Sequence, residues 1–375
     1  MFDFTVTNRS SRTRARGGIL RTPHGSAATP VFMPVGTRGS VKGITPRQLR
    51  EVGVEIVLAN TYHLLTRPGP EVVAELGGLH EFMGWQGPLL TDSGGYQVFS
   101  LSSLNCVGED EVEFASHIDG ARIRLSPARA TKVQNRLGAD IIMAFDECVS
   151  LPCETDVLEK SVQRTIRWAE QSLAAHRRTD QWMFAVVQGG TDKGLRSYCT
   201  EALIKLGFPG YAIGGLSVGE DHEALMETAG FTALLLPEEK PRYLMGVGTP
   251  RDLVKAIGLG IDMFDCVLPT RNGRNACAFV GEGTIKLRNE KYKLQKKPLD
   301  ENCDCYTCCN FSRGFLRHMF MVNEMTGPVL VSLHNLRFYQ RLMAQARQAI
   351  SEDHYESWAQ KWNNYQQNEI GKEKQ

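Results

Sequence analysis

Short apolar runs recur along the chain. Each ends in Gly, Asp, Gln or Asn, and a longer stretch with helical spacing usually follows. The runs are "TPVFMPVGT" (29–37), "EIVLANTYH" (55–63), "GPLLTDSGG" (87–95) and "ADIIMAFDE" (139–147), then "MFAVVQGG" (183–190), "GYAIGGL" (210–216), "RYLMGVG" (242–248) and "DMFDCVLPT" (262–270). None alternates cleanly between apolar and polar, so each fits a strand buried on both faces, as in a parallel sheet. Eight such units point to an α/β fold, a (β/α)8 TIM barrel. A doubly wound sheet is the alternative.

Helix signals fill the gaps. Ser126-Pro127 supplies an N-cap and a first-turn proline to "SPARATKVQNRLGA". Residues 156–178 form a long amphipathic pattern, and 249–260 form another that ends in glycine. Two insertions break the rhythm. Residues 111–126 read as a hairpin turning at Asp119-Gly120, and 277–289 as a second hairpin. The expected organisation is a catalytic barrel with N-terminal strands over 1–275. A zinc-binding subdomain and docking helix would follow over 276–350, integrated with the barrel. A C-terminal helix and polar tail would close the chain over 351–375.

Composition narrows the picture only a little. With 375 residues, 42% hydrophobic and 23% charged, the chain suits a soluble globular protein of one large domain with additions, or two domains. A net charge of +1 means that any nucleic-acid binding needs a local basic patch. No apolar run reaches the roughly 18 residues of a membrane span. The N-terminus has basic residues without a signal peptide's apolar core, so a cytoplasmic location is expected.

Of the 10 cysteines, Cys303, Cys305, Cys308 and Cys309 crowd into "CDCYTCC". A chain this long and this cysteine-poor is not a secreted disulfide scaffold. The C-x-C-x2-C spacing lets one turn supply three thiolates, and zinc takes four S/N ligands in a tetrahedron. The fourth comes from elsewhere: His334 at the start of the last long helix, or His318 before it. Cys309 points away from Cys308 and is a poor candidate.

Catalytic groups of a barrel sit at the C-terminal ends of different strands. Asp92, Asp146 and Asp265 occupy such ends, and Gln188 joins them as an amide. The Gly94-Gly95 and Gly214-Gly215 pairs would let a ligand approach bare backbone N–H groups. Two neighbouring carboxylates suit displacement at a sugar's anomeric carbon, one attacking and the other handling a proton. From Arg271 to Pro298 there are eight basic residues (Arg271, Arg274, Lys286, Arg288, Lys291, Lys293, Lys296 and Lys297), opposed only by Glu282 and Glu290. Placed directly after Asp265, this run reads as a phosphate-binding track.

At this point the motifs form a set. "TDSGGYQVFSL", "FDEC", "GGLSVGE", "RYLMGVGTP", "DMFDCVLPTRNGRN" and "CDCYTCC…HN" occur in this order. Together they resemble bacterial-type tRNA-guanine transglycosylase, over about residues 29–347. The resemblance implies exchange of guanine at the wobble position of GUN-anticodon tRNAs (those for aspartate, asparagine, histidine and tyrosine). The incoming base would be 7-aminomethyl-7-deazaguanine, in a step of queuosine biosynthesis. It implies Asp265 as nucleophile on the ribose C1′, with a covalent intermediate, and Asp92 as general acid/base. Asp92, Ser93, Gly94, Gly95, Asp146, Gln188, Gly214, Gly215 and Leu216 would line the base site, with Tyr96 and Met245 as walls. Gly246, Val247, Gly248, Thr249, Pro250, Arg251 and Asp252 would form one RNA-contacting loop. Thr270, Arg271, Asn272, Gly273 and Arg274 would form the other. Cys303, Cys305, Cys308 and His334 would hold one structural Zn2+ per subunit of a homodimer.

Three positions depart from the family pattern: Thr249 for a frequent lysine, Ala276 for a glycine, and Ser217 for the usual bacterial alanine. Cys148 and Val218 match the bacterial form. A valine at the pocket wall occupies space that the larger base queuine needs, so the precursor is expected, with direct use of queuine as the alternative. Among other readings, a barrel glycosidase explains the acids but not the basic run or the cysteines. A non-catalytic zinc- and RNA-binding subunit should lack the nucleophile or the zinc set. The archaeal-type enzyme would need a C-terminal RNA-binding extension.

Overall fold

The computed structural model describes residues 2–97 and 105–365. Eight short parallel strands form its centre: β1 (Val31–Pro34), β2 (Val57–Ala59), β3 (Leu89–Thr91), β4 (Ile141–Met143), β5 (Trp182–Val187), β6 (Gly210–Ile213), β7 (Arg242–Leu244) and β8 (Met263–Cys266). Their hydrogen-bonded order runs β1-β8-β7-β6-β5-β4-β3-β2. A parallel bridge between Val35 and Leu58 joins the two ends of that order, so the sheet is a barrel rather than a doubly wound layer. Each of the eight apolar runs coincides with one of these strands.

The strands are apolar throughout because both faces are covered. Val31, Met33, Leu90, Ile141, Met143, Phe184, Val186, Ala212 and Met263 pack inside the barrel. Phe32, Ile142, Met183, Ala185, Ile213, Leu244 and Phe264 face the surrounding helices. Those helices follow the expected signals: Ser126 caps Pro127–Leu137, and Thr249 caps Pro250–Gly258. The long amphipathic pattern forms Thr155–Ala175.

Both insertions are present, and one is larger than expected. Val112–Ala115 and Arg122–Leu125 pair antiparallel, and a third strand, Asn105–Val107, adds to them. Cys277–Val280 pairs with Gly283–Lys286 as a simple hairpin. At the chain start, Asp3–Arg9, Arg16–Thr22 and Gly25–Thr29 form a three-stranded antiparallel sheet. Helix Tyr355–Gln360 follows the last long helix. The polar tail expected at 366–375 lies outside the described residues, as does the end of "TDSGGYQVFSL".

Two buried acids sit at the N-terminal ends of the strands and lock the N-terminal sheet to the barrel. Asp262, just before β8, takes a two-pronged hydrogen bond from Arg16 at 2.9 and 2.5 Å and a third from the Arg242 N–H. Asp140, just before β4, accepts from His24 at 2.7 Å, from His80 at 3.2 Å and from the Leu89 N–H. Burial alone would raise Asp140, yet its imidazole and amide partners leave it below the usual carboxylate range.

The long helix Thr326–Ser351 ties the C-terminal segment to the barrel. Gln340 donates to the Phe32 carbonyl, and Arg347 donates to those of Ala28 and Pro30. Asn335 accepts from the Phe279 N–H and donates to the carbonyls of Pro269 and Cys277. One amide thus joins the hairpin to the loop after β8. No helix among the described residues is long and apolar enough to cross a membrane.

Candidate active site and metal centre

The acids at the other end of the barrel have a different environment. Among the described residues no arginine or lysine pairs with them, which separates them from Asp262 and its Arg16. The Asp265 carboxylate lies at the end of β8, half-buried. Its Oδ1 accepts from the Tyr243 hydroxyl at 2.5 Å and from the Gly246 N–H at 2.9 Å. Its Oδ2 has no protein donor among the described residues. Burial pushes Asp265 above the usual carboxylate range, and these two donors moderate the rise. Burial and the Asp265 charge hold Tyr243 well above the usual tyrosine range, so its hydroxyl stays protonated and donating.

Asp92 follows β3 and is 7% exposed. It accepts from Asn60 Nδ2 at 2.5 Å, from the Thr61 N–H at 2.8 Å and from Gln97 Nε2 at 2.8 Å. Burial pushes it to about 6, with the charge of Asp265 adding to the rise. Asp146 follows β4 and is half-buried. Ser93 donates to its Oδ1 at 3.1 Å, and Gln188 to its Oδ2 at 2.8 Å. Burial raises it to about 6 as well. Both groups therefore change charge close to neutral pH, a common property of functional carboxylates.

The glycine pair after β6 packs directly against the Gln188 side chain. Gly215 has φ +62° and packs on Gln188, where an added Cβ would lie 2.1 Å from Gln188 Oε1. Only glycine combines that conformation with that approach. Leu216, Ser93 and Gln188 are buried beside it, and Met245 is half-buried over the barrel interior. Tyr96, 51% exposed, stands within electrostatic reach of Cys148, Asp265 and Arg271. Gly94 is buried and has a left-handed φ.

The two loops expected to meet RNA divide into exposed and supporting residues. Gly246, Arg251 and Arg271 are exposed, while Val247, Gly248, Pro250, Thr270 and Gly273 are buried. Gly248 lies so close to β8 that a Cβ would meet Cys266 at 2.2 Å, and its carbonyl accepts from the Tyr339 hydroxyl of the long helix. Thr249 caps the next helix by accepting from the Asp252 N–H at 3.2 Å, and Asp252 pairs with His222. Arg271, Asn272 and Arg274 lie on the helix Leu268–Arg274. Arg274 Nη1 is buried without a hydrogen-bond partner among the described residues, and burial together with the Arg271 charge lowers the arginine's pKa. Ala276 and Ser217 both adopt left-handed φ values, 61° and 62°. A glycine in place of Ala276 would relieve about 1 kcal/mol of that backbone strain.

The cysteines converge with His334. Ligand atoms of Cys303, Cys305, Cys308 and His334 all lie within 4.8 Å of one another, and all four residues are buried. His334 Nε2 is 2.7 Å from the Phe279 carbonyl and donates to it, leaving Nδ1 with a free lone pair. That Nδ1 is 3.3 Å from Cys308 Sγ and 3.7 Å from Cys305 Sγ. The edge between N and S ligands of tetrahedral zinc is about 3.6 Å. The cluster can hold a metal ion. His318 and Cys309, the rival ligands, are exposed and outside it.

Several contributors were not among the sequence-derived candidates: Asn60, Thr61, Gln97 and Tyr243. The strand-end rule that picked Asp92 applies equally to Asn60-Thr61 in "LANTYH" and would have found them. Tyr243 lies inside β7 and carried no such signal.

Comparison with known proteins agrees with this geometry. A sequence model of the family described as queuine tRNA-ribosyltransferase matches residues 10–368. A queuine tRNA-ribosyltransferase of Thermus thermophilus is 54% identical over 96% of this chain and 93% of its own. Relatives of the same name from Caldanaerobacter subterraneus subsp. tengcongensis and Geobacillus thermodenitrificans are each 52% identical over 93% of this chain. They are covered over 94% and 92% of their own lengths. With the barrel, the strand-end carboxylates and the Cys3His cluster all in place, the chain belongs to the queuine tRNA-ribosyltransferase family, the tRNA-guanine transglycosylases.

Proposed function

We propose that the enzyme exchanges guanine at the wobble position of GUN-anticodon tRNAs for 7-aminomethyl-7-deazaguanine, through a covalent link between Asp265 and the ribose. One observation carries this reading. Asp265 presents an oxygen without a protein donor beside a second, partly neutral carboxylate, Asp92, at the mouth of the pocket. In the first displacement, Asp265 Oδ2 attacks C1′. The bond from C1′ to the base nitrogen breaks, Asp92 gives its proton to that nitrogen, and guanine leaves as the neutral base while Asp92 is left as the carboxylate. In the second, the incoming base gives its ring proton to Asp92, its nitrogen attacks C1′, and the bond to Asp265 breaks. Two inversions retain the configuration. The target nucleotide must be turned out of the stack to reach this pocket.

Asp146 accepts hydrogen bonds from the N–H groups of the guanine edge. Gln188 and the Gly215 N–H donate to its carbonyl. Tyr96 and Met245 flank the ring. Arg271 and Arg274 bind backbone phosphates, and the unpartnered Arg274 Nη1 is a donor ready for one. Cys303, Cys305, Cys308 and His334 hold one Zn2+, which cross-links the C-terminal segment and takes no part in the reaction. The enzyme works as a homodimer in the cytoplasm.

Labelled guanine and unmodified tRNA test the reaction directly. Label should enter tRNA with a GUN anticodon, and no incorporation would overturn the proposal. The entering base is tested by competition. Val218, half-buried with its N–H held by Glu220, narrows the wall where queuine's ring would sit. The aminomethyl precursor should displace labelled guanine while queuine does not, and Val218→Gly should admit queuine. Equal competition by queuine in the unaltered enzyme would refute the valine argument.

The phosphate contacts have their own signature. Substituting both Arg271 and Arg274 by Ala should weaken tRNA binding and reduce the slope of log affinity against log salt by about 2. An unchanged slope would assign these arginines to a solvated surface.

A further inference from the structure

Arg196 is a charged side chain that the proposed reaction does not use. It lies in the helix Lys193–Lys205 behind β5 and is 0% exposed. Among the described residues no carboxylate pairs with it. Burying an unpaired cation is costly, so it must be held by something else. Its hydrogen bonds go to backbone carbonyls: Nε to Gly190 at 2.8 Å, Nη1 to Val187 at 2.9 Å and Nη2 to Gly215 at 3.3 Å. Burial lowers its pKa to about 10, which still leaves it charged at neutral pH.

The three carbonyls belong to two separate turns. Val187, the last residue of β5, and Gly190 bracket Gln188 at the turn that leaves the strand. Gly215 lies in the turn after β6. The groups proposed to read the base edge, the Gln188 amide and the Gly215 N–H, come from these same two turns. The turns touch through Gln188 and Gly215, and the helix approaches the first closely: a Cβ on Gly189 would meet the Arg196 nitrogen at 2.9 Å. A planar guanidinium donates in several fixed directions from one rigid group, and so can span both turns. A lysine ammonium has a single nitrogen and cannot reproduce that fork.

We infer that Arg196 is a positioning residue for base recognition, cross-linking the Gln188 turn to the Gly215 turn from behind the pocket. It touches neither the base nor the sugar. Its effect is to fix the spacing between the two donors that face the base, so its removal should weaken base binding and leave the displacement chemistry at Asp265 largely intact.

The inference rests on the proposed base exchange, and the experiment keeps the two apart. Guanine exchange is measured in the metal-replete enzyme, varying guanine at saturating tRNA and tRNA at saturating guanine, for the unaltered protein, Arg196→Lys and Arg196→Gln. Absence of exchange in the unaltered protein would refute the reaction itself. If exchange occurs, both variants should raise KM for guanine about tenfold or more, the scale of one lost charge-assisted hydrogen bond. The kcat and the KM for tRNA should change less than about threefold. Binding of guanine to the folded fraction, measured by calorimetry, should weaken in parallel and covers the case of a variant that folds poorly. A lower melting temperature with unchanged KM and unchanged binding of guanine would overturn the inference and leave Arg196 a purely structural residue. So would a fall in kcat alone.

Discussion

Asp265→Asn should abolish base exchange while leaving the fold intact. Both donors to Asp265, the Tyr243 hydroxyl and the Gly246 N–H, converge on Oδ1. An asparagine carbonyl oxygen can accept both, so the local hydrogen bonds survive. The substitution removes the oxygen that has no protein donor and replaces it with a non-nucleophilic amide. The expected loss in kcat is on the order of 10⁴- to 10⁶-fold, the scale of losing a nucleophile in covalent catalysis. A denaturing gel should show a tRNA–protein adduct for the unaltered enzyme and none for the variant, with equal melting temperatures. An adduct that persists in the variant would remove Asp265 from the nucleophile's role. Asp92→Asn should behave differently. It retains the adduct-forming carboxylate and impairs proton transfer, with a loss of about 10²- to 10⁴-fold.

The second large effect is on stability. Cys305→Ala should release one equivalent of zinc and destabilise the C-terminal segment by several kcal/mol, a fraction of the roughly 10–16 kcal/mol of a structural zinc site in a small peptide. Cys303, Cys305 and Cys308 form part of the apolar core that includes Val280, Ile285, Leu316, Phe320 and Val331. Without the metal, the cysteine segment keeps only polar contacts to the long helix, from Thr307 to the Leu330 carbonyl and from Arg337 to Asp304. The damage should reach the mouth of the barrel. His334 and Asn335 are adjacent, and Asn335 holds the Pro269 and Cys277 carbonyls on either side of the Arg271–Arg274 helix turn. Metal analysis, thermal melting and tRNA affinity should therefore change together. A metal-free sample that is folded and fully active would show that the cluster is not a structural centre.

Much of this was legible along the chain. The period of apolar runs announced eight parallel strands covered on both faces, because such a strand has no solvent side to be polar; closure into a barrel was decided by the bridge between Val35 and Leu58. The spacing C-x-C-x2-C announced a metal cluster, because three thiolates within one turn are a local arrangement. The strand-end rule gathered Asp92, Asp146, Gln188 and Asp265 at one mouth, because successive parallel strands of a barrel all end on the same side. These are short-range or periodic properties, and a sequence displays them directly.

Tertiary structure decided the rest, because it depends on contacts between residues far apart in the chain. Asp262 and Asp265 are close neighbours in the sequence, yet they serve opposite ends of the barrel. Arg16, 246 residues away in sequence, neutralises the first, while the second has Tyr243 and a backbone amide as its donors, both on one oxygen. The choice of His334 over His318 required a helix to bring its Nδ1 within 3.3 Å of a sulfur 26 residues upstream. Arg196 reads in the sequence as one more polar residue on a helix. Only packing showed it fully buried, with its guanidinium across two turns. Periodicity reports which faces of an element are covered, but the charge or dipole opposite a given polar group is set by whichever distant segment packs there.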